Sequence, residues 1–439
     1  MTFVELPGAV PSGGVVAPPA SADVLVPPRV PGPVRFTGNG HAYLKLLARG
    51  AVLLALTLGI YRFWLATDVR RFLWVNTEIG GDSLEYTGTP FELLIGFLIG
   101  IAILVPIYVG FFVVALSLGE IGQLIGIFGL PVLAFLGQFA VYRARRYRLT
   151  RTVFRGIRFH QGGSAVRFAI CALFWWSIIG LTLGLAYPFA VASLERFKMK
   201  NTYYGNLRGR FDGSGWRLFV RGLPMWFLVV APIVTAIIVL IAAIDWSKIA
   251  SIGSGDLEQF FQQFAAANSE LYKAVGIAAG LATLAMMFAT LLFPVFQAVV
   301  LRWWIDGLRI GEVTIASRLR TGTIFYCYVR FIGWSMLFGL VASIVGVIGT
   351  ISLVVGSASI ANRELIEIMG VVGAVVFYVI IMLGYSTIYQ ATVKLTLWRH
   401  SVETAAIGHM ATLDNVTAAG VPSSALGEGL ADALNVGGI

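Results

Sequence analysis

Charge is what this chain of 439 residues has least of. Asp, Glu, Lys and Arg together make up 12%, against about 25% in an ordinary soluble domain. A water-soluble globule is excluded on that ground. Cysteine is nearly absent. Cys171 and Cys327 lie in or beside apolar stretches, which rules out a disulfide framework or thiolate metal site and makes each a small buried hydrophobe by expectation. The four histidines, His41, His160, His400 and His409, are scattered without metal-ligand spacing. No HExxH, no Gly-x-Ser-x-Gly elbow and no phosphate-binding loop is found. The expectation is therefore no metal, no cofactor and no enzyme. Residues 1–33 lack a basic stretch followed by an apolar one, so a cleavable signal peptide is not expected. They are rich in Pro, Gly, Val and Ala and are expected to form a disordered tail, as is 411–439.

Apolar sequence fills the space that charge leaves. Hydrophobic residues make up 58%, and mean hydropathy is +0.83. Several runs exceed the roughly 18 residues that imply a membrane helix. Eight apolar segments lie near 42–66, 91–116, 121–142, 166–194, 223–244, 274–301, 331–357 and 367–394. The fold class expected is an all-α polytopic membrane protein, a bundle of these segments. Five of them carry proline, at Pro106, Pro131, Pro188, Pro232 and Pro294, tolerated as kinks inside a bundle. Gly96 with Gly100, Gly122 with Gly126 and Gly276 with Gly280 have the spacing of close helix packing. The stretch 245–273 has an amphipathic period and four acids to two bases, and is expected on the outer side. The formal net charge of +10 is concentrated in loops between apolar runs. It points to a cytoplasmic face and anionic membrane lipid, not to nucleic acid.

One stretch of about fifty residues is written twice. Leu56-Thr57-Leu58-Gly59 recurs as Leu181-Thr182-Leu183-Gly184, Arg71-Phe72 as Arg196-Phe197, Asn76-Thr77 as Asn201-Thr202, and Gly80 as Gly205, at an offset of 125. Tyr61 has a near counterpart in Tyr187. A shorter pattern closes three apolar segments with Gln138, Gln297 and Gln390, followed by Arg143, Arg302 and Lys394. The chain then divides into a membrane unit at 34–158, a second at 159–325, and a partial third at 326–410.

The basic loops 143–167 and 195–221 both belong inside, yet one long segment separates them. Either units one and two each hold three crossings and are inverted repeats, as in secondary transporters, or the LTLG segments re-enter at Gly59 and Gly184. The second reading gives six full crossings, two re-entrant segments, small cytoplasmic hairpins and a cytoplasmic C-terminus. The middles of the eight segments hold no Asp, Glu, Lys, Arg or His, unlike ion-coupled transporters. Glu120, Asp245 and Glu367 lie only at segment ends. Each LTLG segment leads through Tyr61 and Trp64, or Tyr187, to arginines, an Asn-Thr cap and a glycine turn. Arg70, Arg71, Asn76, Thr77, Arg145, Arg146, Arg196, Asn201 and Thr202 are candidates for binding an anionic headgroup. Gly59, Tyr61, Trp64, Gly80, Gly184, Tyr187 and Gly205 form the structural frame. Anchoring and turn formation account for the same residues and are the simpler reading.

Leu56 to Tyr61, Trp64, Arg71-Phe72, Asn76-Thr77 and Gly80, together with Arg146-Tyr147-Arg148-Leu149 and Gly156-Ile157-Arg158-Phe159, resemble the YjgN family of bacterial inner-membrane proteins, a domain of unknown function. The resemblance covers about 36–412. In the second copy Ala186 is inserted before Tyr187 and no tryptophan stands at the Trp64 position. The resemblance implies an inner-membrane location and carries no activity with it. Three functions stay open: transport or sensing of a lipid or small amphiphile, a scaffold of the membrane, and an enzyme acting on a lipid-linked substrate.

Overall fold

A computed structural model describes residues 34–117, 119–244, 270–357 and 363–419; for 119–128, 357 and 363 only the helical backbone is described. Its helices come in pairs, and every pair returns to where it began. The first runs β1 (Arg35–Phe36), α1 (Gly40–Leu56), α2 (Arg62–Val75), β2 (Thr77–Ile79). β1 lies antiparallel to β2, and the Thr37 amide donates to the Asn76 carbonyl at 2.9 Å. The start of α1 therefore sits beside the end of α2.

The same joint recurs four more times among the described residues. After β3 (Asp82–Tyr86) come α3 (Pro90–Ser117), α4 (Gly119–Thr150) and β4 (Thr152–Phe154), closed by Thr87 N donating to Arg151 O at 2.8 Å. After β5 (Ile157–Gln161) come α5 (Ala165–Leu181), α6 (Tyr187–Lys200) and β6 (Thr202–Tyr204), closed by Gly162 N to Asn201 O at 2.8 Å. After β7 (Leu207–Phe211) come α7 (Gly215–Ala242), α8 (Leu271–Gly307) and β8 (Leu308–Ile310), closed by Asp212 N to Gly307 O at 2.9 Å. After β9 (Val313–Ser317) come α9 (Thr321–Ser357), α10 (Arg363–Tyr389), a π-helical turn (Gln390–Lys394), α11 (Leu395–Glu403) and β10 (Ala405–Gly408), closed by Arg318 N to Thr404 O at 3.0 Å.

The strands join into one ten-stranded antiparallel meander in the order β1 to β10. Two-residue loops make the hairpins, at 80–81, 155–156, 205–206 and 311–312. Gly80 and Gly81 both have positive φ, 63° and 88°, as a tight hairpin turn demands. Past β10 the chain crosses these loops. Asp414 pairs with Arg155 at 2.8 Å, and the Thr417 carbonyl accepts from the Asn206 amide at 3.2 Å.

Each helix packs on the next, and α10 packs back on α1, so the ten helices α1 to α10 close a circuit. A core of Phe36, Tyr43, Leu47, Val69, Leu73 and Leu395 seals first pair to last. Among the described residues, five helices are long and apolar enough to cross a membrane: α3, α7, α8, α9, and α10 with its continuation. At most 17% of each apolar window is buried in the protein, the condition of helices whose solvent is lipid.

Several expectations need correction. The segments 42–66 and 166–194 are not single helices, so the count of eight segments gives way to helix pairs. The hairpins are not separate, and an all-α description omits the sheet they form. Cys171 is exposed, whereas Cys327 is buried as expected. Gly96 and Gly100 are buried, but a Cβ at Gly276 or Gly280 would meet nothing. Gly122 and Gly126 lie where only the helical backbone is described, so their packing and the side chain of Glu120 are outside the description, as are Asp245 and most of the amphipathic stretch 245–273.

The LTLG sequence explains itself once folded. In both copies the chain reverses there: Leu58 and Gly59 have φ of 50° and 93°, Leu183 and Gly184 of 51° and 89°. Thr57 donates to Leu53 O at 2.7 Å and accepts from Tyr61 N at 3.0 Å. Thr182 does the same toward Ile178 O and Ala186 N, at 2.8 and 3.1 Å. Gly59 N and Gly184 N reach back to Leu54 O and Ile179 O, which closes the helix end. One threonine thus supplies a donor and an acceptor where a reversal would strand polar backbone. Leu58 at the tip is 94% exposed. Tyr61 and Trp64 stand at this tip, at the opposite end of α2 from the sheet. Arg62 opens α2 beside them, within 5.2 Å of the Phe63 and Phe97 rings. The tip thus holds a cation that the reading of uncharged segment middles did not anticipate.

Candidate functional site

The residues picked out in the sequence gather at the joints. Five residues before each closing carbonyl stands an arginine: Arg71, Arg146, Arg196, Arg302 and Arg399. An aromatic or histidine follows each one: Phe72, Tyr147, Phe197, Trp303 and His400. Arg71 Nη2 donates to Gly88 O at 3.0 Å and Arg196 Nη2 to Gly213 O at 3.1 Å. Arg146 Nη2 reaches the carbonyls of Gly162 and Gly163, at 3.1 and 2.5 Å. Arg302 Nη2 donates to Thr321 Oγ1 at 2.8 Å. These arginines pin the connection into the next helix pair. Arg399 alone turns to a surface carboxylate, Glu403, at 2.8 Å.

The other members of the set have similar employment. Arg70 is buried, with Nη1 on the Tyr86 hydroxyl at 3.1 Å. Asn76 Nδ2 and Asn201 Nδ2 donate to Phe72 O and Phe197 O at 2.7 and 2.8 Å. Thr77 and Thr202 bond back to Leu73 O and Lys198 O, so the helix ends are capped by the Asn-Thr pair. Gly80 and Gly205 open their hairpin loops with φ of 63° and 53°. Arg71, Arg146 and Arg196 serve different joints and do not converge on one place.

Arg145 is the exception. It reaches from α4 to Met199 on α6, Nη2 to Sδ at 3.3 Å, and its Nη1 is buried with no hydrogen-bond partner. Beside it Glu195 is 8% exposed. One of its oxygens takes the Lys198 ammonium and the other the Trp304 Nε1, the latter at 3.1 Å. Burial lowers the Lys198 pKa, Glu195 raises it, and the positive charges of Arg145 and Arg148 lower it again. Sequence reasoning named Arg145 but missed Glu195, Lys198 and Trp304. The signal was available, because Glu195 replaces Arg70 at the matching position of the second copy.

A cavity of about 330 Å³ opens at the other end of the same helices. The tip of the third pair lines it with Gly184, Tyr187 and Pro188, α7 with Gly222 and Trp226, and α8 with Phe296. Its wall is almost wholly apolar. The Trp226 Nε1 is engaged by Leu183 O at 2.8 Å. No group of three or more His, Cys, Asp or Glu able to hold a metal ion occurs among the described residues.

No curated protein and no solved structure is found to match the chain. The family expected from the LTLG, Arg-Phe and Asn-Thr motifs is nevertheless confirmed over nearly the whole length. The chain belongs to the bacterial proteins of unknown function DUF898, whose family model matches residues 31–433.

Proposed function

We propose that this is a multi-pass inner-membrane protein that holds the apolar tail of a lipid or small amphiphile between its third helix pair and α7–α8. The cavity carries this reading. It lies against an LTLG reversal, is walled by side chains of three elements, and offers almost no polar group to a hydrophilic ligand. A role in transport or sensing would follow from holding such a molecule.

The joints support a definite topology. In this reading the pairs α3–α4, α7–α8 and α9–α10 cross fully, giving six crossings. The pairs α1–α2 and α5–α6, with helices of 17 and 14 residues, span about 25 and 21 Å at 1.5 Å per residue. Both fall short of a hydrocarbon core of about 30 Å, so they dip in and return. The sheet and the C-terminus lie in the cytoplasm, where the basic loops belong. The three sequence units then hold two joints, two joints and one, as partial triplication of a two-pair module would leave them. Single cysteines at Ser83, Arg158 and Ala316, on β3, β5 and β9, are expected to label from the cytoplasmic face only. Labelling from opposite faces would end the topology.

Gly222 tests the cavity. A Cβ there meets Phe296 at 3.5 Å, so a phenylalanine side chain must project into the space. In mild detergent, native mass spectrometry of Gly222→Phe is expected to show copurifying amphiphile reduced on the order of tenfold, one 1.4 kcal/mol step. Val220→Phe, on the exposed side of α7, is expected to keep the wild-type complement. Full retention by Gly222→Phe would remove the proposal.

A further inference from the structure

The cavity and the buried charges of Arg145, Glu195 and Lys198 are two ends of one track. Tyr187 and Pro188 line the cavity from α6; Glu195 and Lys198 lie seven and eleven residues beyond Pro188 and Tyr187. At 3.6 residues per turn these positions share one helix face. On α8, Phe293 lines the cavity and Trp304, eleven residues on, holds Glu195, again on one face. Both helices run toward the sheet, so the cavity, at the start of α6 and in the second half of α8, lies farther from the sheet than the charges. From Tyr187 to Lys198 the rise is about 16 Å. Half of a hydrocarbon core is about 15 Å. A molecule with its tail in the cavity thus has its polar end at the charges.

The charges there do not balance. Three cations, Arg145, Arg148 and Lys198, stand against one carboxylate, and both Glu195 oxygens are taken by Lys198 and Trp304. Arg145 keeps one buried guanidinium nitrogen without a partner and touches only a sulfur with another. A guanidinium cannot shed its proton to escape the cost of burial, and the Glu195 carboxylate whose charge acts on Arg145 is already bonded to Lys198 and Trp304. A planar fork of donors is what oxyanions bind.

We propose that Arg145 and Lys198 bind a phosphate-type oxyanion, the headgroup of the same amphiphile whose tail fills the cavity. The inference rests on the tail-binding reading and assigns the ligand's charge. Glu195 then limits affinity by holding Lys198 partly neutralised.

The experiment compares wild type, Arg145→Met, Glu195→Gln and Gly222→Phe in nanodiscs of phosphatidylglycerol with phosphatidylcholine, followed by native mass spectrometry of retained lipid. Wild type is expected to retain phosphatidylglycerol over phosphatidylcholine. Arg145→Met should lose that preference on the order of tenfold, one charge-assisted contact, while still retaining lipid of either kind. Glu195→Gln keeps an acceptor for Trp304, removes the competing charge and should sharpen the preference. A structural ion cluster would show no gain there, so this variant decides the matter even if Arg145→Met folds poorly. Unchanged preference in both variants overturns the headgroup assignment, while the tail reading stands or falls separately on Gly222→Phe. In a parallel arm, inorganic phosphate is added to delipidated protein in detergent. Thermal stabilisation by phosphate, lost in Arg145→Met and coupled with no lipid preference, identifies a free oxyanion as the ligand and overturns the headgroup.

Discussion

Trp398→Ala is expected to destabilise the protein by about 3–5 kcal/mol, the usual cost of deleting a tryptophan packed on a core, which Trp398 covers while only partly buried itself. The site is the seam where the fifth helix pair meets the first. Trp398 stacks on Trp74 at 5.1 Å between ring centroids, with an interplanar angle of 24°. Its Nε1 donates to Thr77 Oγ1 at 3.1 Å. It packs on the cluster of Phe36, Tyr43, Leu47, Val69, Leu73 and Leu395. The sheet does not bridge this seam: β1 pairs with β2 and β10 with β9. Side-chain packing therefore carries the closure. Thr77 retains its own bond to Leu73 O, so the loss is mainly packing. Trp398→Phe keeps most of the ring area and should cost nearer 1 kcal/mol, the worth of one hydrogen bond. Thermal melts in detergent give the order wild type, Phe, Ala. An alanine variant that melts with wild type would mean the circuit is closed by something else.

What was legible in the sequence was what is local. LTLG is a complete reversal within nine residues, Leu53 to Tyr61, because Thr57 finds both its partners four residues away. The Asn-Thr cap and the glycine loops are equally short-range, and both copies could be read from the motif alone. The five-part plan was not legible, since each joint pairs strands of two to five residues across an intervening helix pair. Strands so short leave no alternating pattern. The Arg302-Trp303 and Arg399-His400 joints lack the Asn-Thr pair and keep only a glycine nine residues on, Gly311 and Gly408, so their kinship with Arg71-Phe72 shows clearly only in space. The charged cluster escaped notice for a related reason. Glu195 and Lys198 look like an ordinary surface pair at i, i+3, and only the folded neighbours Arg145 and Trp304 bury them.

The joints also explain why so little charge suffices. Helix ends at a membrane surface carry polar backbone that no partner helix can satisfy. Here Arg71, Arg146 and Arg196 each take a connecting carbonyl, Asn76, Asn201 and Thr404 take helix-end carbonyls, and the sheet takes others. The anion proposed at Arg145 would supply a partner for its buried Nη1, which has none within the protein.

Glu92→Ala is the second large effect, again about 3–5 kcal/mol, because it strips the counter-charge from a buried guanidinium. Glu92 stands in the first turn of α3, where a carboxylate also suits the helix N-terminus. Arg151, at the end of α4, grips it with Nε at 3.0 Å and Nη2 at 2.9 Å, and the Tyr147 hydroxyl adds a third bond at 2.7 Å. Side-chain exposures are 12% for Arg151 and 21% for Glu92, so water cannot replace the lost partner well. Glu92→Gln keeps an acceptor but not the charge, and should cost about 1–3 kcal/mol. The double variant Glu92→Leu with Arg151→Met removes both charges and should recover much of the loss, since an ion pair of this kind is worth less than its breakage costs. Denaturant or thermal unfolding of the four proteins forms the cycle. If the double variant is as unstable as Glu92→Ala, stranded charge is not the cause, and the grip of α3 on α4 must rest on the packing of Phe63, Leu93 and Tyr147 instead.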